Sequence, residues 1–301
     1  CLLNELQYKK CQEEIKLCTR LYDNFGDASI FISTVCKAAY EFFKENPVTP
    51  LPAYDKDEAE KLIRAGQSLA LTPKLKTKKT VELLQSFGRV MTEVNPKLKE
   101  TVKQINDQLE KFLLDEPEEL TKEDIFNLRD LLIKETELEE DLATFLFSFL
   151  QYSFYRQYLQ PTFEVVRTDL WEGGNCPLCG EKPHYGLLSS EDGAKQLECW
   201  SCGTKWLHTR IKCPYCDNTD MEKLGFFTVE DNEKVRVNYC QKCCQYCKTF
   251  DARKFHADGD VVLTIHNLAS LDYDLLARRE GFTPGSGLEW VNKDEIIETQ
   301  D

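Results

Sequence analysis

The chain of 301 residues is 42% hydrophobic and 11% aromatic, enough apolar material to pack one or two domains and too much for a disordered chain. Its 52 Asp and Glu outnumber 38 Lys and Arg, giving a formal net charge of −14. Such a chain repels phosphate backbones, which disfavours general nucleic-acid binding unless one region is locally basic.

The first 165 residues read as helical. Leu2, Leu3, Leu6, Ile15, Cys18 and Leu21 fall on a 3.6-residue period, as an amphipathic helix requires. The chain starts at Cys1 rather than Met. A lipidated mature cysteine would look like this, but residues 2–6 lead straight into the amphipathic segment, so a truncated start is the expectation. A second helix fits Ile30 to Lys44 and ends at Pro47, Pro50 and Pro52. A short helix fits Ala59 to Leu69, and a helix pair, Thr80 to Val94 and Leu98 to Leu114, is broken at Asn95–Pro96. Thr121 with Asp124 gives a capping signal ahead of a helix to Lys134. A long helix from Glu137 to Tyr158 follows, closed by Pro161. Its uncharged stretch, 142–155, holds Ser148, Gln151 and Ser153 and is shorter than the ~20 apolar residues of a bilayer span. No membrane span is expected, and no signal peptide is read ahead of it.

From Trp171 the helical period stops. Leu187–Leu188 and Gln196 to Trp200 flank Asp192–Gly193, a hairpin signal, and Phe226 to Glu230 and Val235 to Tyr239 flank a turn at Asp231–Asn232. A strand is expected at Val261 to Ile265, then a helix from Leu268 to Arg279 stopped by Gly281. Gly285-Ser286-Gly287 falls in what reads as a polar tail, frayed over its last dozen residues.

The 14 cysteines are unevenly spread: four in the first forty residues, none from 37 to 175, and ten between Cys176 and Cys247. Disulfide scaffolds are short, with cysteines throughout; a large apolar domain followed by Cys-x-x-Cys pairs reads as metal binding in a reducing compartment. Cys11 and Cys18 read as small buried hydrophobes. The pairs are Cys176/Cys179, Cys199/Cys202, Cys213/Cys216 and Cys240/Cys243, with 19 residues between the first two and 23 between the last two. Each interval contains a hairpin signal. A Cys-x-x-Cys turn aims two sulfurs at one point, and a hairpin brings a second turn opposite, so four thiolates surround one cation: Zn²⁺ or a single iron. Gly180 and Gly203 directly follow their pairs, where a left-handed backbone turns amides toward sulfur. Pairing one with two and three with four is the expectation; one with three and two with four stays open. Cys244 and Cys247 form an overlapping pair and could substitute as ligands, although Cys240 ends a strand in the place a ribbon ligand would take.

Cys176-Pro-Leu-Cys179-Gly180, Cys199-Trp-Ser-Cys202, Trp206, Arg210, Cys213-Pro-Tyr-Cys216 and Cys240-Gln-Lys-Cys243 together resemble the formate dehydrogenase accessory protein family, FdhE. The helical first half and the run Asn267 to Phe282 fit it in character. The resemblance implies an α+β fold: a helical domain (1–165), two tandem rubredoxin-like or zinc-ribbon modules (166–210 and 211–256), and a C-terminal strand, helix and polar tail (257–301). It implies a cytoplasmic, non-enzymatic assembly chaperone that binds the formate dehydrogenase catalytic subunit before twin-arginine export. It further implies two metal ions per chain, Zn or Fe, in two four-cysteine sites. Trp206 and Arg210 match family positions: they either contact a partner or, respectively, pack between the ribbons and pair with a carboxylate. Cys244 and Cys247 depart from the family pattern.

Other classes remain in competition. A redox protein would cycle iron in a four-thiolate site, which zinc cannot do. A nucleic-acid ribbon is opposed by the balance of 12 Lys and Arg against 11 Asp and Glu from Cys176 to His256. An enzyme is the weakest reading: there is no P-loop and no GxGxxG, and none of His184, His208, His256 and His266 stands in an evident acid–base pair. No nucleic-acid partner is expected, and a homodimer stays open.

Overall fold

The computed structural model describes residues 4–115, 117–229, 232–254 and 261–287. Cys1, the turn at Asp231, His256 and the last dozen residues lie outside the described residues. The chain divides into two units, 1–51 with 72–159, and 52–71 with 160–301.

The first unit is helical. Its helices are α1 (Glu5–Leu21), α2 (Gly26–Glu45), α4 (Thr77–Val94), α5 (Lys99–Asp115), α6 (Lys122–Glu135) and α7 (Glu140–Tyr158); α3 (Lys56–Arg64) belongs to the other unit. Helix α2 packs on α1 and α4, α4 on α5 and α7, and α6 on α7. A two-residue ladder joins β1 (Leu75–Lys76) to β2 (Glu119–Leu120). The capping signal is realised in full: the Asp124 amide donates to Thr121 Oγ1 at 3.2 Å, and the Thr121 amide donates back to the Asp124 carboxylate at 2.8 Å. Helix α7 is buried on every side from Ala143 to Tyr155, as a helix without a polar stripe must be. Phe154 meets Phe43 edge-on at 5.0 Å, and Phe149 lies 5.8 Å from Phe145 and 6.0 Å from Phe87. Cys11, Cys18 and Cys36 are buried in this unit, with the sulfurs of Cys11 and Cys36 3.6 Å apart.

The second unit contains α3, the single turn α8 (Gln160–Phe163) and a seven-stranded sheet. Its strands are β3 (Pro183–Leu188), β4 (Lys195–Cys199), β5 (Lys205–Leu207), β6 (Leu224–Val229), β7 (Asn232–Cys240), β8 (Gln245–Asp251) and β9 (Thr283–Pro284). The order is β5-β4-β3-β8-β7-β6, with β9 paired to β8. Both expected hairpins are present, β3/β4 and β6/β7. The two four-cysteine ribbons share one sheet. Strand β8 pairs antiparallel with β7 and parallel with β3, placing Tyr185 opposite Lys248 and Leu188 opposite Asp251. The residues after the fourth Cys-x-x-Cys pair thus weld the two ribbons into one sheet.

Three expectations are corrected. The segment 52–71 falls with the sheet rather than with the helical unit: the amides of Leu69 and Leu71 donate to the carbonyls of Pro177 and Leu178, each at 2.9 Å. The strand expected at 261–265 is instead α9 (Leu263–Leu268), followed by α10 (Leu271–Arg279). Val261, Val262 and Ile265 favour a strand by type, but β3 and β8 already have partners on both sides. A helix satisfies its own backbone and still buries Leu263, Ile265 and Leu268. Lastly, the polar run after α10 is tied to the sheet through β9, and Ser286 Oγ lies 2.5 Å from His184 Nδ1.

Candidate metal centres

The four Cys-x-x-Cys segments fold alike. In each, the amide of the residue after the second cysteine donates to the carbonyl of the first: Gly180 to Cys176 at 3.0 Å, Gly203 to Cys199 at 3.0 Å, Asp217 to Cys213 at 3.1 Å and Cys244 to Cys240 at 2.8 Å. All four of these residues have left-handed backbones, with φ of 80°, 69°, 56° and 55°. Glycine takes that conformation without strain, whereas Asp217 and Cys244 take it at a modest cost. The residue one further on closes the turn. The carbonyls of Glu181, Thr204 and Asn218 accept from the amides of Cys176, Cys199 and Cys213 at 2.6, 2.9 and 2.9 Å, and Gln245 pairs with Cys240 in the β7/β8 ladder.

These turns bring the sulfurs together as two groups: Cys176, Cys179, Cys199 and Cys202, and Cys213, Cys216, Cys240 and Cys243. Within each group all sulfurs lie within 4.8 Å of one another. Cys176–Cys202, Cys179–Cys199 and Cys179–Cys202 are 3.6, 3.5 and 3.6 Å apart, and Cys213–Cys243 and Cys216–Cys240 are 3.8 and 3.7 Å apart. A regular tetrahedron with metal–sulfur bonds of about 2.3 Å has edges of about 3.8 Å, whereas a disulfide would need about 2.05 Å. All eight thiols are free, and their spacing fits a single cation in each group. The arrangement pairs one with two and three with four; the interleaved alternative is not what the fold builds. Cys244 is exposed and occupies the left-handed place in its turn, and Cys247 is buried in β8 with its thiol toward the His184 carbonyl at 3.8 Å. Neither joins a group.

The two groups differ in environment. All four cysteines of the first are buried, whereas Cys216 and Cys243 of the second are half-buried. Burial pushes the Cys199 thiol well above its ordinary range. Cys202 is equally buried, yet hydrogen bonds from Cys176, Cys179, Cys199 and Thr204 hold its thiol well below that range. In the second group burial pushes Cys243 up to about 11. Cys240 is pulled down against its burial by the amides of Cys243 and Lys242 and the thiols of Cys216 and Cys243. Four thiols this close cannot all ionise without a cation to take up the charge.

The sequence reading missed two neighbours of the sulfurs. Thr204 Oγ1 lies 3.0 Å from Cys202 Sγ, and Asn218 Nδ2 donates to Cys240 Sγ at 3.7 Å. Both occupy the turn-closing place five residues after the first cysteine of a pair, a signal readable in retrospect. Trp206 is buried, its indole N–H donating to the Gly173 carbonyl at 3.1 Å, so its ring belongs to the interior of the unit. Arg210 is exposed and reaches over the Gly193 turn. There its charge adds to the Ala194 amide and the Ser189 hydroxyl in holding Asp192 below the usual carboxylate range. His184 is buried, and burial, then Lys248, pushes its imidazole well down; burial and Lys195 push His208 to about 4. Neither ring belongs to a sulfur group.

Similar proteins carry one name. A protein called an FdhE homolog from Aquifex aeolicus is 34% identical over 166 residues, 54% of this chain and 56% of that one. Another from Haemophilus ducreyi is 29% identical over 161 residues, 52% and 51% of the two chains. The chain resembles the FdhE family. The crystal structure of the FdhE protein from Pseudomonas aeruginosa shares the fold, with a TM-score of 0.65 over 95% of this chain and 96% of that one at 19% identity. The chain spans about half the length of the curated FdhE relatives it matches in sequence, and no family model matches it. No helix among the described residues is long and apolar enough to cross a membrane.

Proposed function

We propose that this chain is a cytoplasmic accessory protein for formate dehydrogenase maturation that binds the catalytic subunit and performs no catalysis of its own. In this reading Cys176, Cys179, Cys199 and Cys202 hold one metal ion, and Cys213, Cys216, Cys240 and Cys243 hold a second, zinc or iron. The observation that carries it is the gathering of eight thiols into two groups at tetrahedral spacing, in a chain similar to proteins named FdhE. A bound ion would cross-link two turns of each ribbon and hold the sheet as a platform for a partner. Arg210, exposed at the Gly193 turn, is a proposed contact for that partner; the buried Trp206 supports the platform from inside.

Two measurements test the proposal. Elemental analysis of protein purified without air should give two equivalents of metal per chain. Co-purification with formate dehydrogenase catalytic subunits should retain one of them, and should fail when Cys176 and Cys179 are both replaced by serine. Fewer than one equivalent, or no subunit retained by the fully loaded protein, refutes it. A second reading, redox exchange through iron, is favoured by the half-buried Cys216 and Cys243. It requires the second centre to bind iron and to change oxidation state reversibly.

A further inference from the structure

The second unit holds a cavity of about 190 Å³ beside the second sulfur group. It is lined by residues from three neighbouring strands, among them Gly225 of β6, Asn238 of β7 and Cys247 of β8. At its mouth stand Ile211, Met221 and Phe226, which are 53%, 69% and 54% exposed. Nothing local in the sequence joins these three, yet they converge on one opening. Exposed apolar side chains gathered in this way mark a binding surface more often than isolated ones do.

Deeper in the cavity is Lys195 of β4, only 5% exposed. Among the described residues no carboxylate pairs with its amine, and the thiols of Cys247 and Cys213 are the groups that act on its charge. A buried ammonium without a carboxylate partner is costly, and one lining a cavity can recover that cost from a ligand. Asn238, also in the lining, has a buried side-chain oxygen with no partner. Because the two ends of an amide are interchangeable by rotation, the same side chain can offer a donor. Arg210 and Lys212 add positive charge; Lys212 shares its own with Asp217 at 2.8 Å, and among the described residues the lining holds no Asp or Glu, its acidic groups being the thiols of Cys213, Cys240 and Cys247.

We propose that this cavity is a binding site for a small carboxylate carried on an apolar body. The carboxylate meets Lys195 and Asn238, and the apolar body lies against Ile211, Met221 and Phe226. An apolar cavity of about 150 Å³ takes a benzene ring, so this one takes a single ring with its acid group. Either a free organic acid or the C-terminal carboxylate of a peptide ending in an apolar residue has this chemistry.

The test uses the full chain purified without air, titrated with benzoate and with benzamide and followed by NMR shifts of the cavity residues. Benzoate is expected to bind about tenfold more tightly than benzamide, the effect of one charge-assisted hydrogen bond. Lys195→Met should abolish that preference. Phe226→Ser, at an exposed position that leaves folding intact, should weaken both ligands and keeps the test valid if Lys195→Met fails to fold. Two peptides ending in Phe, one with a free terminus and one amidated, distinguish the sources: a chain end if the free-terminus peptide outbinds benzoate, a free acid if it does not. Equal affinity for benzoate and benzamide would overturn the proposal, because an ammonium that only balances sulfur charge would not distinguish them. So would a preference that survives Lys195→Met, or the absence of shifts at the cavity.

Discussion

The Lys248–Asp274 pair is a sensitive test of how the C-terminal helices are held to the sheet. Both side chains are buried. The Lys248 ammonium donates to Asp274 at 2.5 Å, to the carbonyls of Asn267 and Ser270 at 3.0 Å each, and to Ser270 Oγ at 3.2 Å. The other oxygen of Asp274 accepts from the Tyr246 hydroxyl at 2.6 Å. Strand β8 thereby grips the end of α9 and the first turn of α10. Replacing Asp274 by alanine leaves the ammonium buried with neutral acceptors only, a change that costs about 3–5 kcal/mol. For a unit of this size each kcal/mol moves the midpoint by about 2–4 °C, so a fall of roughly 10 °C is expected. The first unit has no tryptophan, whereas Trp171, Trp200 and Trp206 lie in the second, so intrinsic fluorescence does not report unfolding of the first unit. Lys248→Met should cost a similar amount. The double variant should cost less than the sum of the two by about 2 kcal/mol or more, because no charge is then stranded. Strict additivity, or single variants within about 1 kcal/mol of the parent, would refute the argument.

Three further outcomes follow from the same geometry. Cys240→Ser should remove one metal equivalent, whereas Cys244→Ala and Cys247→Ser should keep both; elemental analysis decides, and loss of an equivalent in Cys244→Ala would reverse the ligand assignment. A competing chelator should strip the second centre before the first, because Cys216 and Cys243 are half-buried and the first group is enclosed; a single release phase, followed by metal-dependent absorbance, would contradict it. Asp251 is buried, which raises its carboxyl, but the Arg253 guanidinium at 2.7 and 2.6 Å and Arg236 at 3.1 Å outweigh burial and hold it below its usual range. Its stabilising contribution is therefore complete above the unfolded carboxylate pKa of about 3.9 and is lost as pH falls below that value. Asp251→Asn should destabilise the second unit at pH 7, and the difference from the parent should shrink under acid; a gap that widens toward low pH would show the sign to be wrong.

The parts of the site legible in the sequence were those set by local geometry. A Cys-x-x-Cys turn is complete within five or six residues, so the four pairs could be read from spacing and two left-handed closing positions from Gly180 and Gly203; those at Asp217 and Cys244 carry no glycine to announce them. Hairpins β3/β4 and β6/β7 are also local, and they determine which pairs meet. The overlapping Cys244 and Cys247 could not be resolved from spacing alone. The structure separates them by backbone and burial: Cys244 takes the place that Gly180, Gly203 and Asp217 take in the other turns, and Cys247 faces inward from β8. The parallel pairing of β3 with β8 joins positions about sixty residues apart with no turn between them, and parallel neighbours leave no hairpin signature. The contact of 69–71 with Pro177 and Leu178 is made by backbone groups, which any sequence supplies, so no residue pattern could announce it. At Val261 to Ile265 intrinsic preference pointed one way, but β3 and β8, the strands against which this segment packs, already have partners on both sides.

The welding of the ribbons has a consequence for how the two centres relate. Cys199 ends β4 and Cys240 ends β7, and the strands between them in the sheet are β3 and β8. Tyr246 and Lys248 of β8 in turn anchor α10 through Asp274. A ligand substitution in one group therefore loosens a turn attached to the same hydrogen-bonded ladder that positions the other. Two independent modules would lose their metals independently; one sheet predicts that disrupting Cys176 and Cys179 speeds release from the second centre as well. Hydrogen exchange along β7 and β8 in that variant is the direct readout. Protection unchanged at Val237 and Phe250 would mean that the shared sheet joins the centres in space but not in stability.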